Sequence, residues 1–171
     1  ARLGLAEQTL VIWTSDNGAV QRNPRQGSSA PYKGFGYDTS EGAMRMPCVM
    51  RLPGRIGAGR TCDEIVTTMD LLPTLAGLAG AALPARAIDG QDARDVLFGK
   101  AGMRSAWDEK GFMYYRLEQL QAVRSGAWKL YLPLRAKFIN NNRKAAAAKA
   151  ELYNVREDVG ETREVAAERP E

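Results

Sequence analysis

The chain has 171 residues, 44% of them hydrophobic and 26% charged, the range of one globular domain able to bury a core, so disorder is excluded as the first reading. Its formal charge of +4 is too mild to argue for nucleic acid, and no apolar run reaches the length that spans a bilayer. There is no histidine, which removes the commonest general acid/base and the commonest metal ligand and leaves Asp, Asn, Lys, Arg and Tyr to build any site.

Residues 2–8 read as the last turn of a helix. "TLVIWT", residues 9–14, follows at once, apolar without polar alternation, as in a parallel-sheet strand covered on both faces. A helix, a buried strand and the polar turn Ser15-Asp16-Asn17-Gly18 make the α/β pattern. Ligands in such sheets sit outside the carboxyl ends of the strands, so Asp16 and Asn17 stand where a site is expected, although Asp-Asn-Gly is also common turn chemistry. The stretch from Gln21 to Tyr37 is too long for an ordinary connection, and loops of that length are often functional. "MPCVMRLPG", residues 46–54, reads as a short strand closed by a Pro-Gly turn. An amphipathic helix follows, with Thr68 as N-cap, Pro73 early enough to be tolerated and Gly80 as its stop. Leu71, Leu72, Leu75, Leu78 and Ala79 fall on one face of it, the expected core face.

Beyond Gly99 the texture changes. "GFMYYR", "LQAVRSG", "WKLYLP" and "ELYNV" are short aromatic or β-branched runs, which predict a small antiparallel sheet over residues 111–155, followed by a turn and a helical tail. The chain therefore reads as the end of an α/β domain, residues 1–104, joined to a small α+β subdomain, residues 105–171. Asp89 in "AIDG" reads as turn chemistry. The basic stretch from Arg135 to Lys149 reads as a solvated segment rather than a phosphate-binding patch. Cys48 and Cys62 make neither a disulfide framework nor a metal-spaced cluster, and they leave the compartment open.

Taken in order, "TLVIWTSDNGA", "APYKGFGYDTSEGAMRMPCVMRLPGRIGAG", "TTMDLLPTLAGLAG", "AIDGQD", "FMYYRLEQLQAVRSGAWKLYLP" and "ELYNVREDVGE" resemble the carboxy-terminal part of the sulfatases, of the arylsulfatase A-like type in the alkaline phosphatase superfamily. Ser-Asp-Asn-Gly alone is weak and Glu-Gly-x-x-Arg-x-Pro moderate; their order and spacing together carry the resemblance, which covers nearly the whole chain. It implies an alkaline phosphatase-like α/β fold, hydrolysis of an aryl or carbohydrate sulfate ester, and a divalent cation, calcium or magnesium, bound by side-chain oxygens. It also implies a hydrated formylglycine as nucleophile. Asp16 and Asn17 match the family's late pair of metal ligands, and the chemistry agrees: a hard cation takes oxygen donors, the aspartate adds charge, the asparagine a neutral carbonyl, and Gly18 permits the turn.

Two departures qualify the match. Cys48 is followed by "VMRLP" and Cys62 by "DEIVT", so the family's Cys-x-Pro-x-Arg nucleophile motif is missing, as are its early aspartates and catalytic histidines. The expectation is a carboxy-terminal piece of a longer enzyme, partnered by the amino-terminal part of that enzyme and inactive and aggregation-prone alone. In many members a sulfate-contacting lysine stands five residues before the Glu of the Glu-Gly motif, and counting back from Glu41 lands on Gly36. Lys33 is the substitute candidate, since a cation there stabilises sulfate oxygens as the ester breaks. Glu41 and Arg45 read as a segment shaping the next turn or as a structural ion pair, and Tyr114, Tyr115 and Trp128 as core rather than cleft. Two other readings stand beside the sulfatase: a phosphate- or phosphonate-ester hydrolase of the same superfamily, and a non-catalytic module binding an anionic glycan or a protein through Lys33, Arg45 and the basic stretch. Export to the periplasm, the extracellular space or the lysosome rests on the resemblance alone.

Overall fold

The computed structural model describes residues 2–22, 26–139, 142–145 and 149–170, with backbone alone at 137–139 and 142–145. In chain order the helices are α1 (Glu41–Met44), α2 (Leu71–Ala79), α3 (Arg94–Leu97) and α4 (Ala106–Lys110). The strands are β1 (Val11–Thr14), β2 (Cys48–Arg51), β3 (Phe112–Arg116), β4 (Gln119–Ser125), β5 (Trp128–Tyr131), β6 (Ala136–Ile139), β7 (Asn142–Ala145) and β8 (Glu151–Asn154). Two compact units result, residues 1–13 with 49–110 and residues 14–48 with 111–171. The sequence divides by texture once, at 104/105; the units instead interleave, and the segment that follows β1 belongs with the carboxy-terminal sheet.

In the first unit, residues 6–8 form a single 3-10 turn, and β1 and β2 make a two-stranded sheet. The strand expected to be covered on both faces is not: Trp13 is 62% exposed and Val11 49%, with Val49 of β2 at 61%. Covering an apolar strand on both faces takes further strands and flanking helices, and among the described residues β1 pairs with β2 alone. α2 begins from a 3-10 turn at Thr68–Asp70, one residue after the cap: Asp70 accepts from the Thr67 backbone N–H at 2.7 Å and the Thr67 hydroxyl at 3.1 Å. Gly80 ends it in the left-handed region at φ 66°, as its position predicts.

The buried side of α2 is not the leucine face. Pro73 and Thr74 are buried, whereas Leu71 and Leu78 are half-buried and Leu72 is 52% and Leu75 42% exposed. The stripe that packs is Asp70, Pro73, Thr74 and Gly77, at i, i+3, i+4 and i+7. Thr74 Oγ1 accepts from the buried Ala93 N–H at 2.9 Å, and Arg94 lies over Gly77 and donates to its carbonyl at 2.8 Å. Small and polar groups win this face because α3 and its approach come close enough to hydrogen-bond.

The second unit carries the predicted antiparallel sheet, in the order β3-β4-β5-β8, with β6 and β7 as a separate antiparallel hairpin. Its register aligns Phe112, Arg124, Lys129 and Tyr153 across the four strands, and Tyr114, Ala122, Tyr131 and Glu151 in the adjacent row. This face is the core of the unit, with Tyr114, Ala122, Arg124, Lys129 and Tyr153 all buried. Tyr114 is thus core as expected, whereas Tyr115 is 53% exposed. The helical tail reduces to a 3-10 turn at Ala166–Glu168. Asp158 accepts from the backbone N–H groups of Thr162 and Arg163 and from the Thr162 hydroxyl, closing a loop that competes with helix. The basic stretch from Arg135 to Lys149 lies in large part outside the described side chains. Among the described residues, no helix is long and apolar enough to cross a membrane.

Candidate functional site

β1 ends at Thr14, and the polar turn follows within the second unit. Ser15 Oγ donates to the Asn17 carbonyl at 3.0 Å. The Gly18 N–H donates to the Ala43 carbonyl at 2.9 Å, Gly36 to Ala19 at 2.7 Å, and Gly42 to Lys33 at 2.7 Å. These backbone bonds staple three segments together: the Asp16–Asn17 turn, the loop carrying Lys33, and α1. A Cβ at position 18 would lie 1.9 Å from the Gly42 carbonyl oxygen, so only glycine lets the turn approach α1 this closely.

Asp16 and Asn17 are exposed, and no side-chain hydrogen bond joins either to another described residue. A carboxylate and an amide oxygen at adjacent positions of a turn tied by its backbone are donors of the kind a hard cation takes, and such a cation needs more oxygens than these two supply. Among the described residues, no group of three or more Cys, Asp and Glu side chains is gathered to hold a metal. Lys33 is joined to this site through its backbone. Its ammonium group lies 5.0 Å over the Tyr153 ring and 3.5 Å from the Glu161 carbonyl oxygen, a long contact.

Behind the turn lies a buried ionic cluster that the sequence reading missed. Glu41, the first residue of α1, is 1% exposed. Its carboxylate accepts from Arg124 at 2.8 Å, Lys129 at 2.9 Å and the Tyr114 hydroxyl at 3.1 Å. Lys129, fully buried, also donates to the Thr39 carbonyl at 2.8 Å, faces Glu161 at 3.8 Å and lies 4.1 Å over the Tyr114 ring. The Tyr131 hydroxyl donates to Glu161 in a short hydrogen bond. Burial pushes the Glu41 carboxyl up, yet Lys129 and Arg124 outweigh it and hold the group below its ordinary value. Burial likewise drives the Tyr114 and Tyr131 phenols well above the ordinary range, reinforced by the charges of Glu41 and Glu161.

Glu41 therefore draws its cations from β4 and β5, and Arg45 stacks its guanidinium 4.7 Å over Tyr32. A signal for this cluster was present in the sequence: "QAVRSG" and "WKLYLP" each set one cation inside an otherwise strand-like run, and the register places those two cations opposite each other. The first unit holds a cavity of about 340 Å³ lined by Asp70, Arg94, Ser105 and Trp107 among others. It contains none of the predicted residues, and its buried carboxylate, Asp70, is occupied by the N–H groups of Thr67, Gln91 and the Trp107 indole.

Comparison with known proteins bears on what this arrangement serves. Residues 33–170 match the family model described as N-sulphoglucosamine sulphohydrolase, C-terminal. The chain is 41% identical over 140 residues to steryl-sulfatase of Mus musculus, an alignment covering 75% of this chain and 22% of that protein. It is 39% identical over 132 residues to N-acetylgalactosamine-6-sulfatase of Canis lupus familiaris, covering 75% and 24% respectively. Over 98 residues it is 46% identical to human arylsulfatase A, covering 57% and 19%. The chain thus spans less than a quarter of the length of these relatives. Among solved structures, a Bacteroides thetaiotaomicron protein described under the metabolism of multiple glycosaminoglycans superposes with a TM-score of 0.75 at 26% identity, over 99% of this chain and 37% of that one. A sulfatase from Pseudoalteromonas sp. shares the fold with a TM-score of 0.78 at 22% identity, over 95% and 34%.

Proposed function

Since the chain belongs to the sulfatases by its carboxy-terminal region, we propose that it forms the carboxy-terminal part of an enzyme hydrolysing sulfate esters of an aryl or carbohydrate carrier. Asp16 and Asn17 are the residues that would hold a divalent cation, calcium or magnesium. When bound, such a cation withdraws charge from the sulfate oxygens. The supporting observation is the exposed carboxylate and amide at the end of β1, fixed in backbone by Gly18 and free of side-chain hydrogen bonds to the described residues. Neither side chain has to give up a hydrogen bond to a described residue to take a ligand.

In this reading the chain binds and orients, and the covalent step belongs elsewhere. Neither Cys48 nor Cys62 lies in the motif from which formylglycine is made, so the nucleophile, with the remaining ligands, is assigned to the amino-terminal part of the same enzyme. Lys33 would approach the sulfate by giving up its long contact with Glu161 and its place over Tyr153, neither of which binds it tightly. Export of the enzyme follows the same family likeness.

The test uses the full-length protein that carries this chain. Turnover of an aryl sulfate is expected, well above turnover of the matching aryl phosphate. Asp16→Ala should weaken calcium binding, measured by calorimetry, by more than the roughly tenfold that loss of a supporting group costs, and Lys33→Ala should raise KM with calcium binding intact. Wild-type calcium affinity in both Asp16→Ala and Asn17→Ala would remove these residues from the site, and a preference for the phosphate ester would replace the sulfatase reading with that of a phosphoesterase.

A further inference from the structure

Ser15 Oγ holds the Asn17 carbonyl, but the Asp16 carboxylate and the Asn17 amide make no side-chain hydrogen bond to a described residue, and a cation site needs its donors held still before the ion arrives. Their support can be traced outward. The turn hangs from α1 through Gly18 N–H to the Ala43 carbonyl, and α1 is joined to the Lys33 loop through Gly42 N–H. The backbones of Gly18 and Gly42 are in contact with no room for a Cβ on either: at position 42 one would lie 2.5 Å from the Lys33 carbonyl oxygen. A small displacement of α1 therefore moves the turn.

What sets α1 is Glu41. The helix is a single turn of four residues, too short to hold itself, and its first side chain reaches into the sheet face, where Arg124, Lys129 and Tyr114 converge on it from β4, β5 and β3. The backbone N–H of Glu41 lies 3.3 Å from the Glu161 carboxylate, and the neighbouring Thr39 carbonyl is taken by Lys129. Replacing such a buried cluster with well-packed apolar side chains often leaves a protein as stable or more so. Directional bonds to one carboxylate do what an apolar contact cannot: they fix where α1 sits.

We propose that Glu41, clamped by Arg124, Lys129 and Tyr114, is a positioning residue for the Asp16–Asn17 turn, acting through α1 and the Ala43–Gly18 bond. The inference rests on the reading of Asp16 and Asn17 as cation ligands. The carboxy-terminal sheet is then the foundation of the ligand pair and carries no ligand itself.

Calcium affinity by calorimetry and amide exchange at Gly18, both in the full-length protein, test this. Glu41→Gln should weaken calcium roughly tenfold, the effect typical of a residue that orients a ligand, with faster exchange at Gly18. Tyr114→Phe, which removes one donor and keeps the ring, should weaken it about threefold and decides the matter if Glu41→Gln fails to fold. Thr74→Val, in the other unit, should lower the melting temperature without moving calcium affinity, which separates positioning from general destabilisation. Unchanged affinity in Glu41→Gln and Tyr114→Phe, beside weakened binding in Asp16→Ala, overturns the positioning role and leaves the ligand reading standing. Unchanged affinity in Asp16→Ala overturns the ligand reading, and the positioning role falls with it.

Discussion

Glu41 is where the arithmetic of one residue is clearest. Taking its carboxylate out of water costs several kcal/mol, and two cations and a phenol within 3.1 Å offset that cost. With its pKa held below the ordinary 4.5 in the fold, the group binds a proton more readily when unfolded. It therefore contributes stability that is fully present above pH 4.5 and is lost as pH falls through the folded value. Glu41→Gln should cost about 3–5 kcal/mol near neutral pH, the usual result of removing one partner of a buried pair. The gap between wild type and variant should narrow steadily on acidification below pH 4.5, measured by denaturant unfolding at each pH; a gap constant to pH 3 would mean that the fold does not hold the Glu41 carboxyl below its ordinary value. Sequence reading found this glutamate as part of a turn-shaping segment and offered Arg45, its neighbour by one helical turn, as an ion-pair partner. Its real partners lie 83 and 88 residues away, a distance that only the strand register closes. The place of Asp16 and Asn17 just past the end of β1 was legible for the opposite reason, because a strand end and a turn are local features.

Elements were legible wherever a local rule decided them. Gly80 stops α2 and the aromatic runs from Phe112 onward pair as a meander, as their punctuation predicts. The packing face of α2 was not legible, because the leucine stripe is the stronger hydrophobic signal and the contact is made by Asp70, Pro73, Thr74 and Gly77. Periodicity identifies an apolar face but not the neighbour it meets, and a hydroxyl can win a face when the neighbour offers a buried N–H. Thr74→Val should then destabilise by about 1–3 kcal/mol by leaving the Ala93 N–H buried without a partner, even though it adds a methyl to a helix. Thr74→Ser, which keeps the acceptor, should recover most of that loss in thermal unfolding. Equal melting temperatures for Thr74→Val and wild type would return the packing role to the leucines.

At the scale of the whole molecule, the apolar strand at residues 9–14 raises the largest mismatch between sequence and structure. Its composition asks for cover on both faces, and the described residues give it one partner strand and leave Leu3, Leu5, Val11, Trp13 and Val49 each about half exposed or more. A bare strand edge beside an apolar face of that kind is a template for association. The 171-residue chain produced by itself should therefore scatter light in a concentration-dependent way and bind a hydrophobic dye. Trp13 offers a local readout, since Trp107 and Trp128 can be replaced by Phe to leave it as the one indole of the three. In the chain alone its fluorescence should be quenched freely by acrylamide. In the full-length protein, with any further tryptophans likewise replaced by Phe, it should be blue-shifted and shielded, because the remaining strands of the sheet would lie against it. Equal quenching in both would mean that β1 meets no further sheet, and the end of β1 would lose its standing as the mouth of an α/β site. Shielding in the longer protein would place Asp16 and Asn17 at the carboxyl end of a covered strand, the position that an open α/β sheet gives to its ligands.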